Sequence, residues 1–249
     1  MSSNDDFVGG ILAWQRDREV ELQKRREQIA TKPCAIPQSL YLSDEHIPGY
    51  PLLWYRDQLF VLRPADDPEL PNRFGGTCDW PWHGLGKGPR PHLLLDLCLA
   101  SLPLGLPPNS PIRDRLALFH PFKSSQTPEL LYRQDADRTF VASKSPKPDR
   151  ADRDWPYADY PASLPLRGLS VDGPYPVPVE ALSPHGGEKV ISIQDLPEDA
   201  DQFLIVIVPA CESFLGVSLL GPDAEHEATQ IVFVVSPENG AVWTYNQCG

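Results

Sequence analysis

The sequence predicts an α+β fold rich in β-strands, with an N-terminal helix, antiparallel sheets, a long proline-rich connection and a C-terminal β-unit. Proline occurs 29 times among 249 residues, more than twice its average share, and it removes backbone donors and interrupts helices. Residues 4–30 combine helical spacing of apolar residues with many strong helix formers. Residues 190–249 contain several short apolar runs of strand length.

The N-terminal helix is predicted over residues 4–30. Pro33 marks its end, because proline cannot continue a helix. Much of the helix surface is charged, so we expect the helix to lie on the outside of the domain. The apolar positions at helical intervals are Phe7, Ile11, Trp14 and Leu22.

Short apolar runs predict the strands of the first 143 residues. The run Leu52–Leu62 predicts either a strand pair or one long strand, because the polar residues 56–58 interrupt it. The other predicted elements are a strand at Leu93–Leu99, a strand at Leu116–Phe119 and a hairpin across Leu130–Val141.

A compact C-terminal sheet is predicted from the last part of the chain. Gln202–Pro209 is a continuous apolar run rich in β-branched residues, which is typical of a strand buried on both faces. Strands are also predicted at Phe214–Leu220, Thr229–Ser236 and Ala241–Asn246, and the last two form a hairpin through the Ser-Pro-Glu-Asn-Gly turn.

Three stretches describe the domain organisation. Residues 1–143 are predicted to form a helix and a β-rich subdomain, residues 144–189 a proline-rich connection, and residues 190–249 an acidic C-terminal β-unit. Nine prolines between residues 144 and 185 predict a long surface connection with polyproline character. We expect the three stretches to build one compact domain.

Composition narrows the class of protein. No apolar run reaches the roughly 20 residues that a membrane-spanning helix needs. The N-terminus has no basic region before its short apolar stretch, so no secretory signal is expected. The five cysteines are widely spaced without a Cys-x-x-Cys pair, which predicts reduced thiols and a cytoplasmic location.

Negative charge is concentrated at the C-terminal end. The formal net charge is −12, and residues 190–249 contain nine acids and neither lysine nor arginine, so they carry −9 of the −12. Phosphate contacts require lysine and arginine, so this end is not expected to bind nucleic acid. Its charge favours a basic protein partner.

The candidate partner-binding residues are acids in two loops beside predicted strands. An electronegative patch accelerates the encounter with a basic protein. The alternative is that these acids keep the sheet soluble and prevent edge pairing. Neither loop has the calcium-binding pattern D-x-[DN]-x-[DN]-G. The residues are Asp195, Glu198, Asp199 and Asp201 in the first loop, and Asp223, Glu225 and Glu227 in the second.

Residue types that often occur in functional sites are most concentrated in residues 72–82, Asn-Arg-Phe-Gly-Gly-Thr-Cys-Asp-Trp-Pro-Trp. Cys78, Asp79, His83 and His92 are candidate metal ligands, but their gaps are irregular, whereas structural zinc sites use close pairs. The sequence also lacks the common catalytic and phosphate-binding motifs. We therefore predict no metal, no other cofactor and no catalytic residue. Adjacent glycines permit positive φ angles and tryptophans bury large apolar surfaces, so the segment is interpreted as a structural clasp.

The order of these features resembles the YwqG-like bacterial family of unknown function. A charged helix leads into Thr31–Ile36, then an Arg-Phe-Gly-Gly segment, a Trp-Pro, an apolar run with one aspartate and a Leu-Ala-Leu-Phe run, over about residues 20–122. The family's Ala-Gln before Ile-Asp-Leu is Leu-Leu here. The resemblance implies a β-rich α+β fold without assigned catalytic residues, and relatives beside polymorphic toxins look like immunity proteins. The matching motif residues are Arg73, Phe74, Gly75, Gly76, Trp80 and Pro81.

Together these features predict a non-enzymatic bacterial immunity protein. It would bind and neutralise a cognate toxin through its acidic C-terminal surface, and a nuclease delivered by a secretion system (type VI, for example) has the required basic character. Two alternatives stay open. One is a small-ligand-binding or metal-binding protein, or an enzyme, that uses the Gly75–His92 loop. The other is a scaffold or adaptor protein that uses the proline-rich residues 144–185.

Overall fold

A computed structural model describes residues 50–85, 91–121, 130–144, 163–177, 199–209 and 229–248. The helical segments in these ranges are two short 3₁₀ helices, Leu99–Ser101 and Ala200–Gln202. The strands are β1 (Leu52–Tyr55), β2 (Gln58–Ala65), β3 (Asn72–Gly76), β4 (Trp82–His83), β5 (His92–Leu97), β6 (Leu116–His120), β7 (Leu130–Gln134), β8 (Phe140–Lys144), β9 (Leu164–Pro176), β10 (Leu204–Pro209), β11 (Thr229–Val235) and β12 (Ala241–Cys248).

The described part of the chain is almost entirely β, so the prediction of an α+β fold is wrong for it. These ranges consist of short apolar and β-branched runs separated by proline and glycine, which favour strands. They contain no helix of seven or more residues and none long and apolar enough to span a membrane. The predicted helix at residues 4–30 and the predicted strand at Phe214–Leu220 lie outside the described residues.

All twelve strands belong to one sheet, in the order β4-β8-β7-β12-β11-β10-β1-β2-β9-β3-β5-β6. Neighbouring strands are antiparallel except β4 and β8, which are parallel. The C-terminal strands lie between strands of the first 143 residues, because β10 pairs with β1 and β12 pairs with β7. The N-terminal and C-terminal stretches therefore share one sheet.

Several predicted elements are confirmed. The first long apolar run is a hairpin of β1 and β2, in which Tyr55 pairs with Gln58 across the Arg56–Asp57 turn. The hairpins β7–β8 and β11–β12 are also confirmed. β10 is buried along its whole length, as predicted for a strand covered on both faces.

Strand β9 lies within the stretch that the sequence analysis assigned to the proline-rich connection. It occupies a central position between β2 and β3, so this part of the chain is not a surface connection. Proline cannot donate to a ladder and is normally absent from central strands, which is why the pattern concealed β9. The ladder accommodates its prolines at irregular points, since the register with β3 shifts opposite Pro165 and the register with β2 shifts opposite Pro174.

The two ends of the sheet meet through side chains of β7 that contact the outer backbone edge of β6. The Tyr132 hydroxyl accepts a hydrogen bond from the Phe119 N–H at 3.1 Å and donates one to the Ala117 carbonyl at 2.9 Å. The Gln134 side chain accepts a hydrogen bond from the Ala117 N–H at 3.0 Å and donates one to the Arg115 carbonyl. Two side chains thus bond the edge of β6 that has no neighbouring strand, and they close the sheet on itself.

Alternating residues of the strands build two cores, one on each face of the sheet. The inner core lies within the closed sheet, and the second core covers the opposite face of β1, β2, β10 and β11. In the second core the Trp54 indole donates a hydrogen bond to the Val177 carbonyl at 2.9 Å. Representative residues are Phe74, Leu95, Tyr132, Val206 and Phe233 in the inner core, and Trp54, Val61, Ile205, Ile207 and Val232 in the second.

Candidate functional site

The glycine pair lies at the end of β3, where this strand approaches the backbone of β9. Gly75 and Gly76 have φ angles of 69° and 79°, in the left-handed region that favours glycine. A Cβ atom on Gly75 would collide with the carbonyl oxygen of Pro165. Gly75 therefore permits both the turn of the chain and the close contact with β9.

Substitution of Gly75 by alanine is expected to lower the free energy of unfolding by about 2 kcal/mol or more, because a backbone collision adds to the strain of a positive φ. Gly105→Ala is the matched control, since Gly105 has a φ of 61° but no atom within 4 Å of its Cβ position. Chemical denaturation of both variants measures the difference. Equal losses at the two positions would contradict the collision.

The Trp-Pro-Trp segment carries the chain from β3 to the opposite end of the sheet. Trp82 begins β4 there and pairs with Phe140 of β8. The centroid of the Trp82 ring lies 4.8 Å from that of Phe140 and 5.0 Å from that of Phe119 on β6. Trp80 stacks on Phe140 at 5.4 Å, and Tyr132 lies 5.2 Å from Trp82. The segment spans the closure and packs the two ends of the sheet together.

A buried carboxylate with two arginines lies beside the glycine pair. Asp96 of β5 pairs in register with Arg73 of β3, whose Nη2 group donates a hydrogen bond to Asp96 Oδ2 at 2.6 Å. Arg115 donates from Nε to Oδ1 and from Nη2 to Oδ2, each at 2.6 Å. A buried carboxylate is costly unless it is paired. These bonds explain how an aspartate is accommodated in the apolar run of β5.

The cluster of Arg73, Asp96 and Arg115 carries a net positive charge. Two guanidinium groups and one carboxylate give a net charge of +1, and the hydrogen bond with Asp96 raises the pKa of Arg115. Burial raises the pKa of the Cys78 thiol, and the charges of Asp96 and Asp79 raise it further, so this thiol is protonated at neutral pH. Cys78 therefore adds no negative charge and is a poor nucleophile.

The candidate metal ligands are distributed over different parts of the fold. Cys78 and Asp79 lie between β3 and β4, His83 lies on β4 and His92 on β5. In the ranges that the structure describes, no group of three or more His, Cys, Asp or Glu residues is arranged to hold a metal ion.

The structure describes two of the seven candidate partner-binding acids. Asp199 and Asp201 are exposed and lie immediately before β10. The chain leaves β10 at Pro209 and returns in β11 at Thr229, so the connection that carries the second acidic loop is attached at the opposite end of β10. The length of β10 places about 20 Å between these ends. The residues outside the described ranges are Asp195, Glu198, Asp223, Glu225 and Glu227.

Two features near Asp199 and Asp201 were not found from the sequence. Glu238 is exposed in the β11–β12 turn, which lies at the same end of the sheet because the end of β11 pairs with the start of β10. Trp243 of β12 is 37% exposed, and its partner on β7, Leu131, is 36% exposed. Side chains alternate between the two faces along β12, so the sequence predicts that Trp243 lies on the face opposite to that of its two neighbours in the chain. The sequence does not show which of the two faces is covered.

Sequence reasoning also missed the pairing of Asp96 with two arginines. The available signal was an aspartate in an apolar strand, because a buried acid requires a cation. Arg73 was identified through the glycine motif, but Arg115 has no local pattern that distinguishes it from a surface arginine. Its contact with Asp96 depends on the pairing of β5 with β6.

Comparison with known proteins found no match: no family model matches the chain, and no curated protein or solved structure matches it significantly. The resemblance to the YwqG-like family therefore stays a prediction. The described ranges form an all-β architecture whose sheet is closed by side chains, with exposed acids at the start of β10 and a cationic cluster formed by Arg73 of β3, Asp96 of β5 and Arg115 immediately before β6.

Proposed function

We propose that the protein is a non-enzymatic immunity protein that binds and neutralises a basic protein toxin through its C-terminal surface. The observation that carries the proposal is the charge of residues 190–249, with nine acids and no lysine or arginine. A stretch with this charge attracts a basic partner and steers its approach over about a Debye length. A nuclease toxin is a suitable partner, because it must present cations to phosphate.

The described part of this surface combines charge with an aromatic side chain. Asp199, Asp201 and Glu238, here called the acidic end, are exposed at one end of β10–β12. Trp243 is exposed on the outer face of β12, with the Tyr245 ring 5.4 Å away. Binding energy in protein interfaces is concentrated in a few residues, often tryptophan and tyrosine. We assign affinity to Trp243, and association rate and specificity to the acidic end.

The two alternatives fare differently against the fold. The adaptor alternative is weakened, because residues 164–176 of its proline-rich segment form the central strand β9. The small-ligand alternative was placed on the Gly75–His92 loop, and the observation in its favour comes from residues beside that loop: the net positive charge of the Arg73–Asp96–Arg115 cluster.

The proposal is tested with the product of the gene adjacent to the gene of this protein. We expect the wild-type protein to bind that product and to protect growing cells from it. Simultaneous substitution of Asp199, Asp201 and Glu238 by lysine is expected to weaken binding at low salt by about tenfold or more, because three attractions become repulsions. Titration calorimetry measures the affinity, and growth measures the protection.

A control variant separates the acidic end from overall charge. Substitution of Asp66, Asp67 and Glu69 by lysine reverses three exposed acids of the β2–β3 connection and changes the net charge by the same amount. We expect this variant to keep the wild-type affinity. Equal weakening by both variants, or no weakening by the first, would contradict the proposed surface.

A further inference from the structure

We propose that Arg73, Asp96 and Arg115 form a binding site for an oxyanion, the phosphate or carboxylate group of a ligand. This inference is independent of the acidic end and goes beyond the proposed toxin binding. It rests on the charge balance of the cluster, the donors of its guanidinium groups and their exposure.

The cluster holds one positive charge more than neutralisation of Asp96 requires. A single arginine neutralises an aspartate elsewhere in this protein, where Arg133 donates from Nε and Nη2 to the two oxygens of Asp135. Arg115 engages Asp96 through the same two groups, and Arg73 adds a second guanidinium. In a protein of net charge −12, two adjacent cations on one carboxylate create a local positive potential.

The two guanidinium groups keep N–H donors for a ligand. Arg115 donates two hydrogen bonds to Asp96 and Arg73 donates one, fewer than a guanidinium can make. Neither side chain forms a further hydrogen bond with the described residues. The side chains are 36% exposed for Arg73 and 27% for Arg115, so both are partly accessible to solvent. Carboxylates and phosphates accept such donors in pairs.

The arginines are held in position before any ligand arrives. Asp96 lies on β5 between Arg73 of β3 and Ala117 of β6, so ladders on both sides fix its backbone, and three hydrogen bonds join its carboxylate to the two arginines. The carbonyl of Arg115 accepts a hydrogen bond from the Gln134 side chain at the sheet closure. Ordered side chains lose little conformational freedom on binding, which improves affinity.

Among the described residues, no acid other than Asp96 forms an ion pair with either arginine. The Cys78 thiol is protonated, because burial raises its pKa. Asp79 is exposed and forms no ion pair with Arg73 or Arg115 in the described structure. The surplus cation is thus available to an anion from solvent.

Titration calorimetry of the full-length protein with inorganic phosphate and with acetate, in a low-chloride buffer, tests the proposal. We expect saturable binding of at least one probe. Binding of phosphate alone would support a phosphorylated ligand, binding of acetate alone would support a carboxylate ligand, and binding of both would support a general oxyanion site. Absence of saturable binding for both probes would overturn the proposal.

Variants locate the site. Arg73→Gln removes the surplus charge and leaves the two Arg115–Asp96 bonds, so we expect a folded protein with about tenfold or more loss of probe affinity. Arg133→Gln removes an arginine of the same bonding geometry and is expected to keep the wild-type affinity. The probe should also raise the melting temperature of the wild type and of Arg133→Gln, but not that of Arg73→Gln. Equal affinities for all three proteins would overturn the assignment.

Discussion

Replacement of Tyr132 by phenylalanine is expected to lower the free energy of unfolding by about 3 kcal/mol, because two backbone groups at the closure lose their partner. The ring remains and keeps its packing with Phe119 and Phe140. The Phe119 N–H and the Ala117 carbonyl lose the hydroxyl that bonds both of them. Each buried group left without a partner costs about 1–3 kcal/mol.

Chemical denaturation measures this loss against a matched variant, Tyr50→Phe. The Tyr50 hydroxyl forms no hydrogen bond with the described residues, so we expect a change within about 0.5 kcal/mol. Gln134→Leu removes the other side chain that satisfies the edge of β6 and is expected to resemble Tyr132→Phe. A small loss for both closure variants would mean that these side chains do not hold the two ends of the sheet together.

Acidification is expected to lower the free energy of unfolding by about 3 kcal/mol because of His120. The loss occurs between the pKa of this residue in the unfolded chain and its pKa in the folded protein. The side chain is 2% exposed, and burial lowers its pKa to about 4. A hydrogen bond between His120 Nε2 and Asn246 Oδ1, at 2.8 Å, opposes this shift, and nearby His92 reinforces it.

The direction of this pH effect on stability follows from proton uptake by the folded and the unfolded protein. The unfolded chain protonates His120 as the pH falls below about 6.5, whereas the folded protein keeps the ring neutral down to about pH 4. Between these values the unfolded state binds more protons, so each step down in pH favours unfolding. Above this window the contribution of the neutral ring is fully present, and below it no further loss arises from this group.

Denaturation at about pH 7 and about pH 4 tests the contribution of His120. We expect His120→Gln to lose about 3 kcal/mol less than the wild type over this interval. His83→Gln is the control, because His83 is exposed on β4, and it should follow the wild type. The same loss in all three proteins would contradict the role of His120.

Local patterns predicted the hairpins and the buried strand, but not the arrangement that closes the sheet. β10 was predictable because its isoleucine and valine residues form an unbroken run, and the β11–β12 hairpin because a Pro-Glu-Asn-Gly turn separates two strand-like segments. β9 was not, because its prolines break the usual strand pattern. The closure depends on Tyr132 and Gln134 bonding a distant strand, and no local spacing encodes such a contact.

The proposed binding surfaces could be predicted from the sequence only through the distribution of charged residues. The count of acids identified the C-terminal end, and Asp199 and Asp201 are exposed there. The antiparallel pairing of β10 with β11 determines where each loop is attached, and it joins Glu238 to this end. Sequence alone could not pair Arg73 and Arg115 with Asp96, because the three residues meet through two strand ladders.

The association rate constant with the product of the adjacent gene, measured at low and at physiological salt, tests the toxin-binding proposal most directly. We predict rapid association of the wild type that slows as salt increases. The variant with lysine at positions 199, 201 and 238 should associate slowly at low salt, and its rate should not fall as salt increases, because salt screens the repulsions that the lysines introduce. Identical rate constants and salt dependence for the two proteins would contradict partner binding through the acidic end.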